Sequence, residues 1–222
     1  MRWYKLDFRD VWVNRDVFVN GMLVTLEMTL AVVILSALVG FVVALVRLRG
    51  TRSSKVFSRA YIEVFRNSPP LILLFLAFYV LPIVAGIGMS AIVACILALG
   101  LNAAAYMAEI FRAGIQSVEK GQIEAAYSLG LSYFQTLRKV ILPQAIRVII
   151  PPMLVEVVEV LKWSSLVSAL GISDLVHNGE VLASKIFRPM EIFTVIAGMY
   201  FIVCYALSKV VGVIEKRLRR AY

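Results

Sequence analysis

The sequence predicts an all-α integral membrane protein with five transmembrane helices, and three observations lead there. Of its 222 residues 61% are hydrophobic and only 17% charged, against about half and about a quarter in a soluble domain. The mean hydropathy is +0.86 for a chain of 24.7 kDa, more apolar surface than a globule of that size can hide. Uncharged runs also recur at lengths that suit helices crossing about 30 Å of hydrocarbon, which takes roughly 20 residues each. Cytosolic enzymes, disordered tails and disulfide scaffolds are excluded at this step.

Residues 1–19 come first, an amphipathic segment in which Trp3, Tyr4, Phe8 and Trp12 alternate with charges. Such a segment is expected to lie on the outer surface of the membrane. A signal peptide would place a short apolar region directly after a basic start; here mixed residues with three aspartates precede a full-length span. Met28 to Val46 is uncharged for 19 residues, so the first span is expected at about 25–46.

Asn67 to Ala108 holds 42 residues without a charge. That is too long for one helix and suits two, at about 61–82 and 89–112, with Pro82, Gly86 and Gly88 at the turn. The first of these is expected to kink or restart at Asn67-Ser68-Pro69-Pro70. Ser68 would be the N-cap and Pro69 the first helical residue, leaving Glu63 and Arg66 at the interface. The fourth span, about 148–170, is interrupted by Glu156, Glu159 and Lys162. The fifth, about 190–212, is charge-free from Ile192 to Ser208. The spans lie in one domain, 20–217, and a short tail of 218–222 follows.

Lys and Arg number 23 against 14 Asp and Glu, a formal +9. Basic residues do not alternate with aromatics along one polar face, so nucleic acid is not the expected partner. Their distribution instead fixes orientation, because cytoplasmic loops are enriched in Lys and Arg. Segments 47–66, 112–147 and the C-terminal tail hold 16 of them and the alternate set holds 6. The N-terminus is expected outside and the C-terminus inside, with 218–222 cytoplasmic. Cys95 and Cys204 lie in apolar runs, where a thiol behaves as a small hydrophobe. His177, the one histidine, has no neighbour to complete a metal site and is expected in a loop.

The cytoplasmic connection 114–147 has structure of its own. Ser117 to Leu129 reads as a short helix closed by Gly130, the residue type that best accepts a left-handed cap. Ser132 and Gln135 have the spacing of a capping box, and the helix they start is expected to stop at Pro143. A helix-turn-helix of this kind is a rigid knob against the inner face of the membrane, suited to receiving movement from a partner.

Within it runs Gly121-Gln122-Ile123-Glu124-Ala125-Ala126-Tyr127-Ser128-Leu129-Gly130, followed by Val140-Ile141-Leu142-Pro143-Gln144-Ala145 and Pro151-Pro152. Further stretches are Glu63-Val64-Phe65-Arg66-Asn67-Ser68-Pro69, Ala108-Glu109-Ile110-Phe111-Arg112-Ala113-Gly114-Ile115 and Lys162-Trp163-Ser164-Ser165-Leu166-Val167. Together these resemble the EAA loop and flanking spans of ABC-importer permeases, in the polar amino-acid (histidine/glutamate/arginine/opine) branch. The likeness covers roughly Asn20 to Arg217. Two departures stand out: many relatives carry Gly-Asn where this chain has Leu154-Val155 before Glu156, and Ser164 replaces a threonine. Both leave the loop assignment intact and bear on which amino acid is carried.

The resemblance implies an ABC type I importer transmembrane-domain fold and a permease subunit in the bacterial inner (cytoplasmic) membrane. It implies a second permease chain, alike or paralogous, two ATP-binding subunits, and a periplasmic solute-binding protein that delivers a polar amino acid. ATP and magnesium would belong to the ATPase subunit, and no Gly-x-x-x-x-Gly-Lys-Ser/Thr phosphate loop occurs here. Gly121, Glu124, Ala125, Ala126 and Gly130 would then form the coupling helix that docks on the ATPase.

Charges inside a bilayer are costly and mark functional candidates. Glu156, Glu159 and Lys162 recur at intervals of three, near one face of the fourth helix, with Ser164 and Ser165 following. Glu159 and Lys162 either neutralise each other or line the translocation path and contact the ligand. Asn102, at mid-depth of the third span, is a candidate for the same path or for a helix–helix hydrogen bond. Glu109 and Arg112 are spaced for a local ion pair, and Glu27 is expected to be solvated near the outer interface. The alternatives are a stand-alone secondary transporter or ion channel, against which the odd number of spans and the rigid loop both count, and a membrane-bound enzyme, for which no catalytic constellation is present. A requirement for ATP and a partner ATPase separates the permease from both.

Overall fold

The computed structural model describes residues 5–219, and every regular element among them is helical. A short helix, α1 (Arg9–Val13), leads into α2 (Arg15–Arg49). After Gly50 come α3 (Arg52–Arg66) and α4 (Pro70–Ala85), then α5 (Ala91–Gln116), the short α6 (Lys120–Ser128), the long α7 (Tyr133–Leu170), α8 (Leu175–Ile186) and α9 (Pro189–Arg219). Four of these are long and apolar enough to cross a membrane, or five if the bent pair α3–α4 is one span.

Several helices outrun the stretches expected from the sequence. The first begins at Arg15, with Asp16 and Asn20 exposed in its first two turns. Trp12 and Phe8 are exposed; Trp3 and Tyr4 lie outside the described residues, as do Arg220 to Tyr222 of the tail. Of the kink or restart expected within residues 61–82, the structure has the restart, one residue later than expected. Pro69 is the N-cap and Pro70 the first helical residue, while the Ser68 hydroxyl donates back to the Val64 carbonyl at 2.7 Å. Proline disfavours helical geometry in the residue before it, and Pro69, followed by Pro70, is extended at ψ 130°. The limbs meet at 107°, so residues 61–66 belong to α3 and do not continue the direction of α4.

Two π turns explain how helices survive prolines that would otherwise end them. Leu76–Val80 precedes Pro82 within α4, and Leu137–Ile141 precedes Pro143 within α7. A proline removes one amide donor and its ring collides with the carbonyl four residues back. Those carbonyls belong to Phe78 and Lys139, each inside the widened turn, where the extra residue gives the ring room. Pro143 therefore does not stop the helix: one helix runs from Tyr133 to Leu170, its last seven residues tightened to 3₁₀.

The centre of the bundle is the crossing of α2 and α5. Ala94, Ala98, Ala103, Ala104, Ala105 and Ala108 are buried along α5. A Cβ at Gly40 of α2 would lie 2.6 Å from Met107 Cβ and 2.9 Å from the Ala104 carbonyl oxygen. Such close approach lets dispersion and packing replace the missing hydrophobic drive between helices in lipid. Leu74, Leu99, Val160 and Val167 fill the same core from α4, α5 and α7.

At the other end, α8 occupies a region the sequence reading leaves as a loop, and His177 lies in its first turn. Asp174 caps it, its Oδ1 accepting from the His177 amide at 2.8 Å. Burial pushes the Asp174 carboxyl up to about 6 against the pull of those amides. The Leu175 amide donates to Thr25 Oγ1 at 3.2 Å, locking α8 onto α2. The N-terminal segment is tied to the same corner: the Asp7 amide donates to Glu191 Oε1 at 3.0 Å, and Arg188 lies 3.4 Å from Asp10. Arg9, hydrogen-bonded to Asp7, holds that carboxyl down at about 2.

Candidate functional site

The basic end of the bundle carries a knob made of α6, a tight turn and the first turns of α7. Its helix starts at Lys120, later than Ser117, because Ser117 terminates α5. Gly130 closes it at φ +76°. The Gly130 amide donates to the Tyr127 carbonyl at 2.9 Å and the Leu131 amide to the Ala126 carbonyl at 3.1 Å, the paired bonds of a Schellman turn. Ser132 then opens α7 with both halves of a capping box, Gln135 Oε1 accepting from the Ser132 amide at 2.8 Å. Two reciprocal caps only two residues apart fix the elbow between the helices. Gln144 donates to Gln122 and closes it from the side.

Of the five residues singled out in this loop, Ala126 alone is buried. Gly121, Glu124, Ala125 and Gly130 face outward, and nothing lies within 4 Å of a Cβ placed at Gly121 or Gly130. The outward surface is also apolar: Leu129 is 80% exposed and Phe134 67%. The knob thus carries an exposed carboxylate and large uncovered apolar side chains on a backbone held by caps.

Beside the knob, the inner ends of α2 and α5 are joined through Glu109 of α5. Arg112 Nη2 lies 2.6 Å from its Oε2, the local pair expected, and Arg47 of α2 reaches its other oxygen. The Arg47 contact joins residues 62 apart in sequence and has no local signature.

The polar residues of α7 do not share one face. Glu156 is buried and its Oε1 has no hydrogen-bond partner among the described residues, whereas Glu159 and Lys162 are exposed by 41% and 52% and pair at 2.6 Å. At about 100° per residue, each step of three turns the helix back by about 60°, so six residues carry the row well away from Glu156. Ser164 is buried and donates to the Leu161 carbonyl, and Ser165 donates to the Lys162 carbonyl, both at 2.7 Å. The Glu159–Lys162 pair opens into a recess of about 270 Å³ between α7 and α9, shared with Ser208 and Glu215.

Asn102 is placed apart from that recess. It is buried, and its Nδ2 donates to the Phe65 carbonyl at 2.6 Å, holding the end of α3 against α5 near the break. Beside it the Tyr106 hydroxyl donates to the Arg66 carbonyl at 3.1 Å. The Arg66 guanidinium lies 5.0 Å over the Tyr106 ring, which sits 5.8 Å from the Trp163 ring. The sequence reading leaves Tyr106 and Trp163 unassigned as site residues. No local spacing pairs them; only the crossing of α5 and α7 does.

The family model described as "binding-protein-dependent transport system inner membrane component" matches residues 33–220. The chain belongs to this family. The permease is 33% identical over 200 residues to the putative glutamine transport system permease protein GlnP of Rickettsia conorii (strain ATCC VR-613 / Malish 7), covering 90% of this chain and 92% of that one. It is 36% identical over 203 residues to the probable glutamine ABC transporter permease protein GlnP of Bacillus subtilis (strain 168), covering 89% and 92%. Among solved structures, an amino acid ABC transporter with histidines superposes with a TM-score of 0.90 at 36% identity, over 96% of this chain and all of that one. The MetNI methionine ABC transporter in an inward-facing conformation shares the fold, with a TM-score of 0.75 at 20% identity over 91% and 96%. The ABC type I importer architecture expected from the EAA-loop resemblance is the one found.

Proposed function

We propose that this permease forms the path for a polar amino acid in an ATP-driven importer of the bacterial inner membrane. A periplasmic binding protein hands over the substrate, and a separate ATPase subunit, which binds the ATP and magnesium, drives the cycle through α6. The observation that carries the reading is the capped knob with Glu124, Leu129 and Phe134 exposed at its tip. A hydrophobic tip of this kind seats in a groove of the motor domain, and the rigid elbow passes the motor's closure into α7 rather than absorbing it. Two ATPase copies then require two permease chains, identical or paralogous. Glutamine, named for several relatives, is the first substrate to test.

The exposed Glu159–Lys162 pair supports the path itself. Two charges left against hydrocarbon are costly, so this face is covered by a second permease chain and by water in the cavity between the two. There the pair offers one carboxylate and one ammonium to the complementary groups of an amino acid.

The test is a pull-down of the tagged chain from its native membrane in a gentle detergent, beside Glu124→Lys. An ATPase subunit is expected with the wild type and lost from the variant, whose lysine reverses the charge at the docking tip. A wild-type chain recovered alone in several detergents would refute the coupling role.

A further inference from the structure

Away from the knob and the path, α3 is patterned in a way neither role uses. Arg52, Lys55 and Arg59 recur at spacings of three and four, one helical face. Ser58 and Ile62 are buried against the bundle, while Val56 and Phe57 are 63% and 76% exposed. A helix with a basic stripe beside an uncovered apolar one lies in the interface of a bilayer. The 107° bend turns α3 away from α4, as that position requires.

The basic stripe does not simply face solvent. With Arg47, Arg112 and Gln116 it lines a recess of about 340 Å³ where α3 meets the ends of α2 and α5. Glu109 is taken by Arg47 and Arg112. Arg52, Lys55 and Arg59 have no carboxylate partner among the described residues. Five cations against one carboxylate leave the recess at +4, an uncompensated convergence that calls for an anion.

We propose that this recess seats the phosphoryl headgroup of an anionic phospholipid. Guanidinium groups match phosphate oxygens in pairs, and basic pockets at the cytoplasmic ends of membrane helices favour such headgroups. Val56 in the lining, with the exposed Phe57 next to it in the chain, selects a lipid over a soluble phosphate, because an acyl chain needs an apolar wall and a free anion does not. The headgroup bridges α3 to the ends of α2 and α5, so lipid binding steadies the brace at Glu109.

The permease purified with its partner subunits, in nanodiscs of phosphatidylcholine with or without phosphatidylglycerol, tests the proposal by native mass spectrometry of retained lipid and subunits. The wild type retains phosphatidylglycerol in preference to phosphatidylcholine. Arg52→Gln/Arg59→Gln lowers that preference about thirtyfold, roughly fivefold for each basic residue removed near an anionic surface. Lys216→Gln/Arg217→Gln, which removes the same charge at the same end but outside the recess, leaves it unchanged. Equal retention by the wild type and the Arg52/Arg59 variant overturns the proposal. So does saturable binding of inorganic phosphate without lipid preference, which would make the site one for soluble anions. Loss of the ATPase subunit from the Arg52/Arg59 variant with lipid retention intact would assign the recess to a protein contact instead. None of these readouts involves amino-acid uptake, so the proposal stands or falls separately from the transport role.

Discussion

Gly130 works through its backbone alone. At φ +76° with nothing within 4 Å of a Cβ, it has space for any side chain and a conformation for few. Left-handed geometry costs an ordinary L-residue about 1–2 kcal/mol, more for a β-branched one, while asparagine tolerates it. Gly130→Val is therefore expected to loosen the elbow and reduce the yield of assembled complex, and Gly130→Asn to keep most of it. Co-purified ATPase per permease, compared across the two variants, checks this; equal yields would mean that the turn does not set the docking geometry. Asn102 shows a different kind of residue-level role. Its bond to the Phe65 carbonyl satisfies a backbone acceptor exposed by the break before Pro69, an architectural duty that a mid-span asparagine does not announce.

Among the helices, the α2–α5 crossing depends on the absence of side chains. A methyl at Gly40 meets the Ala104 carbonyl at 2.9 Å, backbone that cannot move aside, whereas at Gly100 it meets chiefly the end of the Leu35 side chain. Gly40→Ala is expected to lower stability by about 1–3 kcal/mol, as overpacking does, and Gly100→Ala by clearly less; thermal unfolding in detergent distinguishes them. What was legible from sequence follows the same logic of local against non-local signals. The Gly130 turn and the Ser132–Gln135 box were legible because capping is written in residues a few positions apart. The helix α8 was not, since its apolar residues are short of a span and only the Ser173-Asp174 start marks it. Pro143 misled because the widened turn that rescues the helix lies in Leu137–Ile141, residues with no special composition. The spacing of Glu156, Glu159 and Lys162 suggests a position near one face, yet a step of three drifts, and only packing decides which member turns inward.

For the whole molecule, the Glu159–Lys162 pair lies half-exposed in the recess between α7 and α9, on the path we propose. Lys162→Ala is expected to lower uptake about tenfold, equivalent to roughly 1.4 kcal/mol, with the amount of assembled complex unchanged. Uptake equal to wild type would remove the pair from the path. The length of α7 has a mechanical meaning as well. Its 38 residues give a contour of about 57 Å at 1.5 Å per residue, nearly twice the thickness of the hydrocarbon. One continuous element therefore reaches from the capped elbow to the 3₁₀ turn beside Asp174, with the bilayer as its fulcrum. A tilt of about 5° around the midpoint would displace each end by about 2.5 Å, in opposite directions. Under the coupling role we propose, a push at the inner end would become an opposite swing at the outer one, so that a single lever would open one mouth while shutting the other.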